Sequence, residues 1–156
     1  MNQQGEEPIF VDRGDNTALV CVDHQQYQKI VVPQLIDMTY KVHLGLFEED
    51  VLLKLRTYNY NVVVIYENFK GSTLQSNPIL HEMIREPDAQ RREHFVVLLS
   101  HAFATNDAIS AFAHSVDQII NIADLANFQP VLRRGVAEHQ ELYRSFNEMH
   151  KSVQAL

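Results

Sequence analysis

Five short apolar runs recur along the chain, Ala18 to Val22, Tyr40 to Leu46, Asn61 to Tyr66, Phe95 to Leu99 and Val116 to Ile120, and each gap between them holds a stretch with helical spacing. Three of the runs are dense in Val, Ile and Leu without polar alternation, the pattern of strands covered on both faces. Parallel neighbours need a crossover connection, so strand and helix alternating through five rounds predict an open parallel sheet with helices on both sides. Right-handed crossovers make 2-1-3-4-5 the expected strand order. The fold class is therefore α/β, a doubly wound five-stranded parallel sheet in a three-layer sandwich, with an extended C-terminal helix.

The helical stretches differ in how clearly they are signed. From Phe47 to Tyr58 the residues Phe47, Val51, Leu55 and Tyr58 form one stripe, and Glu48, Glu49 and Asp50 fill the first turn, where negative charge meets unpaired amides. Asn77 before Pro78 supplies an N-cap and a proline at the first helical position, with Ile79, Leu80, Met83 and Ile84 as the buried side and Pro87 as the stop. Thr105-Asn106-Asp107 offers capping oxygens to a helix expected to bury Ala108, Ile109, Phe112 and Ala113. A first helix, about Gln25 to Asp37, contains Pro33, which removes a backbone hydrogen bond and predicts a kink or an early break. The last helix runs from about Gln129 to His150 with Pro130 tolerated at its start, and Gly135 weakens it slightly. It is longer than a five-stranded sheet can cover. Its stripe of Tyr143, Phe146 and Met149 is expected to pack on the N-terminal leader, on a second copy or on another protein.

The 156 residues, 46% of them hydrophobic, suffice for one core. Residues 1–15 read as a loosely held leader docked by Ile9-Phe10-Val11, and residues 16–156 as one domain. A net charge of −7 and a pI near 5.5 exclude a general affinity for nucleic acid or an anionic membrane surface. The sole cysteine, Cys21, lies in an apolar run, so no internal disulfide and no cysteine-rich zinc site can form. No stretch approaches the roughly 18 to 20 apolar residues of a membrane helix. Together these point to a cytoplasmic protein.

Ligands of such sheets bind beyond the carboxyl ends of the strands where the order reverses, here Asp23-His24, Tyr66-Glu67-Asn68 and Ser100-His101. Over roughly residues 17 to 146 the order of elements, the strand lengths and these positions resemble a receiver domain of the response-regulator (CheY-like) superfamily. The resemblance implies two adjacent metal-holding acids after the first strand, where this chain has Val22-Asp23. It implies a phosphorylated aspartate at the end of the third strand, where Tyr66 stands, and a phenol cannot form an acyl phosphate. Ser100 fits the Ser or Thr that ends the fourth strand, although His101 is bulkier than the small residue expected next. The lysine and proline after the fifth strand are absent from Ile120-Asn121-Ile122-Ala123. Phosphoryl transfer to a carboxylate relies on a bridging cation and a countercharge, so the resemblance implies a degenerate pocket, Val22, Asp23, Tyr66, Glu67, Ser100 and Ile122, without catalysis. Glu67 lies one step beyond Tyr66, and strand alternation predicts that it points away from the site.

Other chemistries find less support. His24, His101, Asp23 and Glu67 could converge on a metal, but none has the close spacing of a zinc motif, and they read as hydrogen-bonded groups. Thr17 to Gln25 resembles the opening of isochorismatase-like hydrolases, a family that needs a cysteine far downstream, whereas Cys21 precedes Asp23. No glycine-rich loop follows a strand, and no cofactor is implied. The expectation is a non-enzymatic interaction module in bacterial signalling, with a protein partner or self-association through the C-terminal helix. Its docking face is expected around Phe112, Ile119, Phe128 and Tyr143. The alternative is a small-molecule or metal sensor, or an enzyme, built on the switch-point residues.

Overall fold

Five parallel strands, β1 (Thr17–Cys21), β2 (Lys41–Leu44), β3 (Val62–Tyr66), β4 (Phe95–Ser100) and β5 (Gln118–Asn121), lie side by side in the order β2-β1-β3-β4-β5. This is the expected arrangement, seen in a computed structural model that describes residues 11, 12 and 14–154. The apolar residues Ile9 and Phe10 of the expected leader lie outside the described residues. The central strands β1, β3 and β4 are buried along their whole length, which is why they carry Val, Leu and Ile on both faces.

Among the described residues there are six α-helices, α1 (Gln25–Asp37), α2 (Glu48–Thr57), α3 (Pro78–Arg85), the single turn α4 (Asp88–Arg91), α5 (Ala108–Ala113) and α6 (Phe128–Gln154), and all but α4 bury residues against the sheet. One core joins Val20, Val64 and Val97 to Val31 and Leu35 of α1 and to Phe128 and Leu132 of α6. The other joins Leu19, Ile65 and Leu98 to Val51 of α2, Ile79 and Met83 of α3 and Ala111 of α5. Successive strand residues therefore alternate between an α1/α6 face and an α2/α3/α5 face. Gly45, just after β2, lets α2 approach: a Cβ there would collide with Val51 Cγ2.

Several local expectations are corrected. α1 continues unbroken through Pro33, which sits on the exposed side, and the carbonyl that loses its donor belongs to Lys29, itself an exposed residue. Gln34 Nε2 ties that turn to the Ile30 carbonyl at 2.9 Å and to the Leu125 carbonyl at 2.8 Å. In α2 only Val51 is fully buried, because Phe47 and Tyr58 are its capping positions and stand partly in water. Ile84 of α3 is exposed, the buried side being Ile79, Leu80 and Met83.

The largest reversal is α5. Asp107 caps it by accepting from the Ser110 amide at 3.0 Å, and the Asn106 amide donates to the Ile119 carbonyl at 2.8 Å. These bonds set the phase of the helix so that Ala111 faces the sheet, while Ile109 and Phe112 are 84% and 88% exposed and Ala108 and Ala113 also face solvent. Val116 belongs to the turn after α5, its amide donating to the Ala111 carbonyl, so β5 starts two residues later than the apolar run suggests. α6 begins at Phe128 and extends to Gln154, past the expected end at His150.

Candidate functional site

The carboxyl ends of β1, β3 and β4 bring together Asp23, Tyr66, Glu67 and Ser100, with His24 and His101 beside them. Because Tyr66 pairs with Leu99 in the β3/β4 register, the next step sets Glu67 against Ser100, and the Glu67 amide donates to the Leu99 carbonyl at 3.1 Å. Two pairs result, one on each face of the sheet.

On the α2/α3/α5 face, the buried Glu67 carboxylate accepts from the Ser100 hydroxyl through Oε2 at 2.8 Å and from the His101 amide through Oε1 at 2.7 Å. Ser100 Oγ in turn accepts from the Ala102 and Phe103 amides at 3.1 and 3.2 Å, which turns the chain sharply after β4. The expectation that Glu67 points away from the site is thereby corrected. Alternation does send it to the face opposite Tyr66, but Ser100 lies on that same face, and the chain turns at Glu67-Asn68 directly after β3. Asn77, fully buried, holds this turn: its amide donates to the Tyr66 carbonyl at 2.9 Å and the Glu67 carbonyl at 3.1 Å, while its oxygen caps α3 at the Ile79 and Leu80 amides.

On the α1/α6 face, the Tyr66 hydroxyl hydrogen-bonds His101 Nε2 at 2.7 Å. The Tyr66 ring, only 8% exposed, meets the Tyr27 ring edge-on with centroids 5.5 Å apart, and Tyr27 stacks on His24 at 3.7 Å. His24 also caps α1, its Nδ1 accepting from the Tyr27 amide. The rings of His24, Tyr27, Tyr66 and His101 thus pack on one another beyond the carboxyl ends of the strands. Burial pushes the Tyr66 phenol above its ordinary pKa, aided by Tyr27 and by the negative charges of Glu67 and Asp23.

Asp23 Oδ2 accepts from the Lys70 amide at 3.0 Å, drawing the turn Phe69–Gly71 over the end of β1 with Lys70 in the left-handed region at φ 53°. Val22 and Ile122 do not join the polar cluster. Val22 is wholly buried, and Ile122 packs against the same α1/α6 core. The residue at the end of β5 that does take part is Asn121: its amide group donates to the Phe103 carbonyl at 2.8 Å, and its backbone N–H donates to Thr105 Oγ1 at 2.9 Å. Thr105 donates in turn to Asp124. Tyr27, Asn77 and Asn121 were not legible as site residues. Only the Asn-Pro signature of Asn77 was visible, and it announces a cap rather than a clamp.

Among the described residues no three His, Cys, Asp or Glu side chains come together in a way that could hold a metal ion. No helix of the described residues is long and apolar enough to cross a membrane. The expected docking face is corrected in part: Ile119 and Phe128 are fully buried in the two cores and can contact no partner, whereas Phe112 and Tyr143 are exposed. Ile119 is buried because α5 packs over it, and Phe128 because it starts the turn of α6 that faces the sheet.

No protein-family model matches the chain, and no curated protein matches it in sequence. Its fold is similar to those of solved response-regulator receivers. The signal receiver domain of a DNA-binding response regulator from Colwellia psychrerythraea is 15% identical with a TM-score of 0.62, over 79% of this chain and 99% of that one. The chemotaxis response regulator CheY4 of Vibrio cholerae is 14% identical with a TM-score of 0.61, over 78% and 98%. A response regulator from Burkholderia pseudomallei, whose structure contains a phosphorylated aspartic acid and a calcium ion, is 14% identical with a TM-score of 0.60, over 84% and 72%.

Proposed function

We propose that this chain is a receiver-like regulatory module that works through protein contacts without being phosphorylated at the end of its third strand. The observation that carries this reading is the Glu67 carboxylate, which accepts from both the Ser100 hydroxyl and the His101 amide. A carboxyl group of the chain itself thus occupies the serine hydroxyl of β4 and the amide after it, so neither is free to meet the oxygens of a phosphoryl group. The turn after β4 is held in one arrangement by a residue that needs no donor.

Three further features support the absence of phosphoryl chemistry. Tyr66 ends β3 with a phenol tied to His101, Val22 contributes no acid, and Asp23 is engaged by the Lys70 amide. Without an acceptor, paired metal acids and a countercharge, transfer to the protein has no path. The exposed Phe112 on α5, beside the edge strand β5, and the half-exposed Tyr143 on α6 are the surfaces through which the module would touch its partner in a bacterial signalling pathway.

The reading is tested by incubating the full chain with acetyl phosphate and magnesium and recording its intact mass, alongside hydrogen exchange of residues 101–105. The expected result is an unchanged mass and unchanged exchange, for the wild type and also for Tyr66→Asp, which restores an acid without the remaining machinery. A phosphoryl adduct on the wild-type chain that is lost on acid-base treatment typical of acyl phosphates overturns it.

A further inference from the structure

Beyond His139, helix α6 carries an apolar stripe that its own domain leaves largely uncovered. Phe128, Leu132 and His139 mark the side that packs inward, and at 100° per residue Leu142, Phe146, Met149 and Val153 centre roughly 50° further round the helix. These four side chains are 72%, 54%, 70% and 68% exposed. Arg92 reaches only one side of the Phe146 ring, 5.9 Å from its centroid.

The stripe steps by four, three and four residues, which is the alternation of a heptad seam. Such a seam is matched by another helix with the same repeat, into whose holes its side chains fit, and α6 itself supplies one. The charges of the tail agree. Glu141, Arg144, Glu148 and Lys151 all lie on the side opposite the stripe, and Arg144 and Glu141 pair with each other. The edges of the seam are Ser145 and Ser152 on one side and Tyr143 and His150 on the other, with no Asp, Glu, Lys or Arg. Charges at these edges are what select an unlike partner. Their absence lets two identical seams meet without like-charge contact, even in a chain of net charge −7.

We infer that two copies of this chain pair through the tails of α6, Leu142, Phe146, Met149 and Val153 of one helix packing on the same residues of the other. This deepens the reading of an interaction module by naming one partner, a second copy. The site at the carboxyl end of the sheet is remote in composition from the seam and shares no residue with it.

The test is sedimentation velocity and light scattering of the full 156-residue chain over a range of concentrations. The mass is expected to rise from 18.0 kDa toward twice that value as concentration increases. Met149→Glu and, separately, Val153→Glu are expected to hold the mass at one chain with unchanged circular dichroism and melting, since both positions are exposed. Leu53→Glu, at an exposed position on α2, is expected to leave the dimer intact. A wild-type chain that stays monomeric into the high micromolar range overturns the inference, with the stripe then left to the leader or an unlike protein. A dimer that survives Met149→Glu or is lost in Leu53→Glu overturns it too. A monomer that resists phosphorylation defeats this inference alone, and a dimer that accepts a phosphoryl group defeats only the earlier reading.

Discussion

Glu67 and Ser100 face each other one step beyond the last ladder pair of β3 and β4, carboxylate against hydroxyl at 2.8 Å, with both groups buried. The serine oxygen also accepts two backbone amides, so removing the carboxylate disturbs the whole turn after β4. Hydrogen bonds to a charged group contribute about 1.5 to 3 kcal/mol, and the partners left behind are buried. Glu67→Ala is expected to lower the unfolding free energy by roughly 2 to 4 kcal/mol, seen as a fall in the urea midpoint at unchanged slope. An unchanged midpoint would show that the pair is incidental.

Alkaline pH should weaken the fold through its tyrosines. Burial raises the pKa of Tyr40, Tyr60 and Tyr66; neighbouring charges add to the shift at Tyr60 and Tyr66. A folded pKa above the unfolded one, which is about 10, gives stability that is fully present below pH 10 and is lost as pH rises toward the folded value. Urea midpoints are therefore expected to decline above about pH 10, and absorbance at the phenolate band should show that some of the six tyrosines ionise only on unfolding. Tyr66→Phe should make the decline shallower. A midpoint independent of pH in that range would contradict the assignment.

Strand order was readable in the sequence because dense Val and Ile runs separated by helical spacing leave few alternatives once crossovers must be right-handed. The face of α5 was not, since six residues make under two turns and Ile109 with Phe112 forms as good a stripe as the one that is used. What decides is the bond from the Asn106 amide to the Ile119 carbonyl, a contact invisible to local periodicity. The role of Glu67 is hidden for a related reason: alternation gives its face, but whether Ser100 shares that face depends on the β3/β4 register. The seam on α6 was half visible, as Phe146 and Met149, while the helix end and the exposure of Leu142 and Val153 required coordinates.

Gly135 sets two effects against each other. Alanine is favoured over glycine in a helix interior by about 1 kcal/mol. A Cβ at 135, however, would lie 2.6 to 2.8 Å from the side-chain amide of Gln118, which is buried and held by bonds from its Nε2 to Asn106 Oδ1 and the Val131 carbonyl. Overpacking of this kind costs about 1 to 3 kcal/mol. Gly135→Ala is expected to lower Tm despite its better helix propensity, and the double variant Gly135→Ala with Gln118→Ala should recover part of the loss. A raised Tm in the single variant would show that Gln118 moves aside without cost.

Asn77 allows two roles to be separated by one atom. As an N-cap it would tolerate aspartate, because Asp and Asn cap helices about equally well. As the clamp of the β3 end it cannot, since Asn77→Asp turns a donor to the Tyr66 and Glu67 carbonyls into an oxygen facing two carbonyl oxygens in a fully buried place. It also sets a second carboxylate close to Glu67. Asn77→Ala loses the cap and the clamp together, which puts it at roughly 2 to 4 kcal/mol. Asn77→Asp keeps the cap but adds an unpaired buried charge, so it is expected to cost at least as much and to recover stability at low pH, where the new carboxyl is protonated and can donate to one carbonyl. Denaturation of both variants at neutral and acid pH reads this directly. If aspartate proves as stable as the wild type, Asn77 is only a cap, and the turn that presents Glu67 to Ser100 is held by something else.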